Sequence, residues 1–231
     1  MHLQIYITTE ATNRRKAGAI IALMNVANHW ETVYRTKPPE ALSWYAPHLQ
    51  LSLDLIQRHA PATTASIIDV GAGEATLVDD LLARGYRNLT VLDVSPTAIE
   101  ATKKRLGSAA AQVNWIIGDI TQFSLAGQTF DLWHDRAVFH FLTSPVQRRG
   151  YVESVLEAVK PGGHVIVSTF GPDGPLKCSG LDVMRYDATA LHSEFGRQFR
   201  VAESSTESHL TPWGSIQQFV YCCCRVELGQ K

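Results

Sequence analysis

The stretch Ser66-Ile67-Ile68-Asp69-Val70-Gly71-Ala72-Gly73-Glu74-Ala75-Thr76 leaves the chain few options. Ile67, Ile68 and Val70 form a short apolar run of the kind buried on both faces of a parallel sheet. Gly71 and Gly73 allow a tight turn and let a ligand lie against bare backbone. Leu77, Val78, Leu81 and Leu82 then recur at helical spacing as far as Gly85, predicting a helix that opens at Glu74. A second strand ends in Val91-Leu92-Asp93-Val94-Ser95. Asp93, about twenty residues beyond the glycines, stands where a carboxylate can accept both hydroxyls of a ribose. A strand, glycine turn, helix and strand in this order predict a nucleoside-binding unit.

A chain of 231 residues, 45% hydrophobic and 19% charged, supports one sizeable core, so a single domain is expected. With 21 basic and 22 acidic residues there is no electrostatic footprint for nucleic acid or an anionic membrane. Cys178 and the run Cys222-Cys223-Cys224 lack the spacing of a zinc site, so no metal is expected. Adjacent cysteines in a strand point to opposite faces, and a reduced, cytoplasmic setting fits them best. No run is long enough to span a bilayer. Arg14-Arg15-Lys16 before the apolar stretch Ala17 to Ala27 imitates a signal peptide, but the basic cluster comes late and follows Glu10.

Residues 1–28 read as an extension of uncertain structure. Leu3, Ile5 and Ile7 alternate like a strand, and Ala19, Ile20, Leu23 and Val26 share a helical face. Residues 29–60 are aromatic at first, with Trp30, Tyr34 and Trp44-Tyr45 ahead of the first core strand. These rings either form a lid that stacks on a ligand and excludes water, or cap one edge of the core. Pro47 is expected to start a helix carrying Leu49, Leu53 and Ile56, ending before Pro61.

Beyond Asp93 the spacing predicts a helix over Pro96 to Leu106, a strand over Val113 to Ile117 closed by Gly118-Asp119, and a strand over Phe130 to His134. A helix over Val146 to Val159 leads through Lys160-Pro161-Gly162-Gly163 to a fifth strand, Val165 to Thr169. Strands alternating with helices imply a mostly parallel sheet covered on both sides. The apolar pieces Phe199 to Ala202 and Gln218 to Val226, with no full helix between them, are expected to close it as an antiparallel pair.

The glycine loop lacks the third glycine of the dinucleotide fingerprint, because Ala75 or Thr76 stands in its place. A nicotinamide-dependent reductase would need that glycine and hydride-transfer residues such as Tyr-x-x-x-Lys, and neither is present. The ordered strand ends carry more information: Asp69-x-Gly-x-Gly, Asp93, Gly118-Asp119 and the Pro-Gly-Gly turn.

In that set the chain resembles the class I S-adenosylmethionine-dependent methyltransferases, from about His29 to the end. The resemblance implies a Rossmann-like, doubly wound seven-stranded α/β sheet, mostly parallel with an antiparallel last strand. It implies that Asp69, Gly71, Ala72 and Gly73 hold the methionine part of the cofactor, and that Asp93 takes the ribose hydroxyls beside Val94 and Ser95. Gly118 and Asp119 would meet the adenine, with Ile120 or Val94 packing on the ring; Trp30, Tyr34 and Trp44 would close over it. The aromatic residues before the first strand, with Asp135-Arg136 after the fourth, look like the methyltransferase-like group that modifies lysines of translation elongation factor 1A and of citrate synthase. Those enzymes carry Asp-Lys followed by glycine where this chain has Asp135-Arg136-Ala137. A small-molecule acceptor and a protein lysine both remain open.

Methyl transfer from a sulfonium needs two reactants positioned and dehydrated. Asp135 is expected to orient the acceptor or the cofactor's ammonium group, and Arg136 to pair with Asp135 or meet an anionic acceptor. A structural Asp-Arg or Asp-His pair is the competing reading. His134 reads as a core histidine rather than a base. Cys178 either faces the acceptor or is an inert buried thiol, and His209 to Trp213, in the connection between the last two strands, are expected to line the substrate mouth. A non-catalytic binder of S-adenosylmethionine would tend to lose the polar residues His134, Asp135 and Arg136.

Overall fold

The computed structural model describes residues 26–227 apart from 124, 126 and 128. The expectations for Leu3 to Leu23 lie outside the described residues. Helix α1 covers residues 26–36, so the expected boundary between 28 and 29 falls inside a helix. There follow α2 (Gln50–His59), β1 (Ser66–Val70), α3 (Leu77–Ala83), β2 (Asn88–Asp93), α4 (Pro96–Leu106) and β3 (Val113–Ile117). The second half contains β4 (Phe130–Arg136), α5 (Pro145–Ala158), β5 (Val159–Phe170), the small hairpin β6 (Lys177–Cys178) and β7 (Leu181–Asp182), α6 (Ala188–Phe195), β8 (Phe199–Leu210) and β9 (Ile216–Val226).

Seven strands form one sheet in the order β3-β2-β1-β4-β5-β9-β8. Pairings from β3 through β5 are parallel, while β9 runs antiparallel to both β5 and β8. The topology reverses between β1, whose crossover leads outward to β2, and β4 on its other side. A crevice therefore opens at the carboxyl ends of these strands.

Alternation along the strands divides the core into two layers. Ile67, Leu132, Ile166 and Cys223 face α2 and α3, whereas Ile68, Trp133, Val165, Cys222 and Cys224 belong to the cluster that includes α5 and α6. The cysteine run is strand core, split between the two faces as adjacent positions must be.

Two helix starts differ from expectation. α3 begins at Leu77 rather than Glu74, because a turn occupies residues 71–74 and the chain enters the helix only at Thr76. α2 begins at Gln50 rather than at Pro47, with Leu49 as its N-cap. α2 belongs to the core: Leu53, Leu55 and Ile56 are all buried.

Ile56 is fully buried beneath α2. Ile56→Ala is expected to lower the free energy of unfolding by about 2–5 kcal/mol, read from urea denaturation. A loss below about 1 kcal/mol would mean that α2 does not carry this face of the core.

Candidate active site

The crevice holds a cavity of about 390 Å³ whose lining is mainly apolar. Its floor is made of strand ends. Asp69, Asp93 and Asp119 come from the ends of β1, β2 and β3, with Gly71, Ala72, Val94, Gly118 and Ile120 beside them. Trp30, Tyr34 and Trp44 form the other wall. The structure thus brings together most of the residues singled out in the sequence. Gly73, Ser95 and Asp135 are not among the lining residues.

Gly73 and Ser95 act from behind the surface. Their backbone N–H groups donate to the two carboxylate oxygens of Asp93, at 2.7 and 2.8 Å. One side chain thereby ties the glycine turn to the entrance of α4. Asp93 is 4% exposed, and its burial pushes its pKa up to about 6 despite these donors. Gly71 has φ +66°, and a Cβ added there would meet Val138 Cγ2 at 1.9 Å. At Gly73, with φ +54°, an added Cβ would meet the Tyr34 hydroxyl at 2.3 Å. The glycines are needed here both for backbone conformation and for close approach.

Helix α1 is fastened over this floor. Glu31 accepts from Ser95 Oγ at 2.6 Å and from the Thr97 backbone N–H at 3.2 Å, at the N-terminus of α4. Those bonds hold the Glu31 carboxyl below its ordinary range. Trp30, one residue away, meets Trp44 and Phe141 edge-on with ring centroids 5.8 and 5.0 Å apart. Glu31 and Phe141 escaped the sequence reading. Glu31 had no signal, while Phe141 belongs to an aromatic run whose placement depends on the turn after β4.

The end of β4 corrects one expectation. Neighbouring residues in a strand face opposite ways, so Asp135 and Arg136 do not pair. Asp135 is fully buried and turned toward α5. Its oxygens accept from the Val138 and Phe139 N–H groups at 2.8 and 3.0 Å and from Tyr151 Oη at 2.6 Å. The carboxylate caps a turn in which Ala137 takes φ +77°. That turn brings Val138 against Gly71. Burial pushes the Asp135 pKa up to about 6.

His134 and Arg136 face the cavity side. His134 Nδ1 lies 2.7 Å from Asp69 Oδ1 and its Nε2 lies 2.9 Å from Ser52 Oγ. Ser52 is 3.3 Å from Tyr221 Oη, which donates to Glu207 at 3.2 Å. Both nitrogens of His134 are thus engaged, in keeping with a core histidine that also borders the cavity. Ser52 and Tyr221 were not anticipated, since they are remote in sequence and carry no motif.

Arg136 donates to Tyr221 Oη at 3.0 Å and to the Trp44 carbonyl at 3.3 Å, and lies 3.4 Å from Glu207. Cys178, on β6, lines the cavity, and burial pushes its pKa up to about 12, so it is a neutral thiol there. His140 is fully buried; burial pushes it down to about 3, leaving it neutral as it accepts from the Phe170 N–H. His209 donates to the Ser43 carbonyl at 2.8 Å and steadies the segment carrying Trp44, while Trp213 is exposed. Among the described residues no cluster has the donors for a metal ion, and no helix is long and apolar enough to cross a membrane.

Residues 67–163 match the sequence profile of the methyltransferase domain family. Nodulation protein S of Rhizobium tropici is 32% identical over 107 residues, covering 46% of this chain and 44% of that protein. A 2-heptyl-1-hydroxyquinolin-4(1H)-one methyltransferase of Mycobacteroides abscessus is 32% identical over 156 residues, covering 63% of this chain and 65% of that protein. The chain therefore spans less than two thirds of the length of each. The solved structure of the N-methyltransferase NodS from Bradyrhizobium japonicum, in complex with S-adenosylhomocysteine, aligns with a TM-score of 0.60 at 18% identity. That alignment covers 77% of this chain and 86% of that one, and at such identity the likeness is one of fold.

The packing at Gly71 can be separated from its backbone conformation. Gly71→Ala is expected to destabilise the protein more than Gly214→Ala, where φ is +86° and nothing lies within 4 Å of an added Cβ. The control should cost about 1–2 kcal/mol, the left-handed backbone term alone. Equal losses in chemical denaturation would show that Val138 does not press on the glycine turn.

Proposed function

We propose that this chain, whose residues 67–163 belong to the methyltransferase domain family, is an S-adenosylmethionine-dependent methyltransferase with a small-molecule acceptor. The observation that carries the reading is the row of carboxylates at three adjacent strand ends, Asp69, Asp93 and Asp119, facing one cavity beside a glycine turn. S-adenosylmethionine offers donors suited to such a row: an ammonium group, two ribose hydroxyls and an exocyclic amine. The cavity also contains a buried acceptor in need of a partner, Glu74 Oε2, which has no hydrogen bond. When bound, the cofactor supplies a methyl carbon activated by attachment to a sulfonium sulfur.

The protein's part is to hold and to dehydrate. Asp93 would accept the ribose hydroxyls with a carboxylate already oriented by two backbone amides. Asp119 has one oxygen committed to Thr121 and would offer the other to the base amine, with Ile120 on the ring. Asp69, fixed by His134, would meet the ammonium group. Trp30, Tyr34 and Trp44 would exclude water, since they wall the cavity under a helix clasped by Glu31. A small acceptor is favoured by this covering of helix α1, the Trp44 segment and the β6–β7 hairpin.

Calorimetry should find S-adenosylmethionine and S-adenosylhomocysteine binding and NAD not binding; the reverse order would overturn the assignment. Asp93→Ala should weaken the binding by about 1–3 kcal/mol. Ligand hydroxyls donate to the ionised carboxylate, so affinity should be full above about pH 6 and fall as pH drops through that value. Asp93→Asn should remove this break. An unchanged pH profile in the asparagine variant would exclude Asp93 from the site.

Methyl-labelled cofactor incubated with the protein and a cell lysate, afterwards separated into macromolecules and small molecules, should leave its label in the small-molecule fraction. Label on protein lysines would replace this acceptor class with the other.

A further inference from the structure

Arg136 is an arginine with incomplete compensation at the wall of a mainly apolar cavity. Its side chain is 5% exposed. Of its three hydrogen-bonded partners, two are neutral, the Tyr221 hydroxyl and the Trp44 carbonyl, and the carbonyl is at 3.3 Å. Among the described residues, Glu207 is the one carboxylate within ion-pair distance. It is 3.4 Å away, beyond the usual range of a charge-assisted hydrogen bond, and its side chain is 23% exposed, so water screens it. The other partner is the Phe219 ring, 4.2 Å from the guanidinium carbon. A buried cation with long, mostly neutral contacts calls for an anion.

The surroundings fit the same ligand. Trp44, Phe141, Cys178 and Leu181 line the cavity together with Arg136, giving an apolar wall with one cation in it. The Cys178 thiol is neutral and does not compete as a counter-charge. The field of Arg136 reaches its neighbours too: after burial, it is the next cause of the lowered pKa values of His140 and His209. Neither imidazole adds a second positive charge, so among the described residues lining the cavity Arg136 is the one arginine or lysine, on the wall across from the strand-end carboxylates.

We propose that Arg136 sets acceptor specificity, and that the acceptor is a small, largely apolar molecule presenting an anionic oxygen to its guanidinium. The inference rests on the methyltransferase reading. A lone pair of that oxygen forms the bond to the methyl carbon as the carbon–sulfur bond breaks, and the electrons of the broken bond remain on sulfur. The negative charge of the acceptor and the positive charge of the sulfonium cancel. No proton has to be removed during the step, which agrees with a site where burial makes His140 a weak base, the Cys178 thiol keeps its own proton and His134 is bonded at both nitrogens.

The test compares a matched pair of probes, 2-naphthoate and 2-naphthamide, titrated calorimetrically into the full chain with and without S-adenosylhomocysteine. The carboxylate should bind at least tenfold more tightly than the amide. Arg136→Gln should bring the two affinities within about threefold while S-adenosylhomocysteine still binds, and Arg136→Lys should retain part of the preference. Equal affinities in the native protein, including no detectable binding of either probe, overturn the proposal, as does a preference that survives in Arg136→Gln. If the glutamine variant fails to fold, the native pair and the lysine variant decide. Failure of S-adenosylhomocysteine to bind would instead overturn the underlying assignment, so the two results are distinguishable.

Discussion

Two backbone amides on one buried carboxylate organise the cavity. Gly73 and Ser95 lie 22 residues apart by position, on loops that follow different strands, yet both donate to Asp93. Each bond to a charged acceptor is worth about 1.5–3 kcal/mol net. Together they offset part of the cost of burying Asp93 and close the glycine turn onto the start of α4. Ser95 then serves three neighbours: its N–H bonds Asp93, its side chain caps α4 by accepting from Ala98, and its hydroxyl donates to Glu31. The cavity floor and the helix above it are therefore held by the same short loop.

A second constraint operates at β4. Strand geometry turns Trp133 and Asp135 to one face and His134 and Arg136 to the other. On the first face, Tyr151 receives a hydrogen bond from Trp133 and gives one to Asp135, locking α5 against the sheet. On the second, Asp69, His134, Ser52, Tyr221 and Glu207 form a continuous polar chain across the sheet. Asp135 thus shapes the cavity through the turn at Ala137, while its neighbours border the cavity directly.

The parallel half of the fold was legible because buried strands are short apolar runs separated by turns and helices of regular length. The antiparallel closure by β8 and β9 was legible for the converse reason, the lack of a helix between two apolar pieces. Helix starts at Glu74 and Pro47 misled, because glycine-turn geometry and a local loop prevailed over residues that favour helix initiation. The placement of Asp69, Asp93 and Asp119 at strand ends was readable from spacing, whereas the roles expected of Asp69 and Asp119 came from the family resemblance. Of the two roles expected of Arg136, pairing with Asp135 fails because the two-residue period of a strand separates the side chains of adjacent residues. Glu31 and Phe141 carried no motif; their importance comes from burial and from partners supplied by the tertiary fold.

This difference in legibility has a physical origin. The floor of the cavity uses strand ends and backbone from a nearly contiguous segment, residues 69–120, so its logic is local. The wall around Arg136 draws on Trp44, Cys178, Glu207, Phe219 and Tyr221, which come together only after β9 has inserted between β5 and β8. Tyr221 connects the two: its hydroxyl contacts Ser52 in the chain that reaches Asp69, and also contacts Arg136 and Glu207. Losing that hydroxyl would strand a donor on Arg136 and disturb the support of His134, at about 1–3 kcal/mol for each buried polar group left unpaired. A guanidinium held by a phenol, a carbonyl and one partly exposed carboxylate at 3.4 Å is placed firmly while being only partly neutralised, and this combination keeps positive charge available at an otherwise apolar wall.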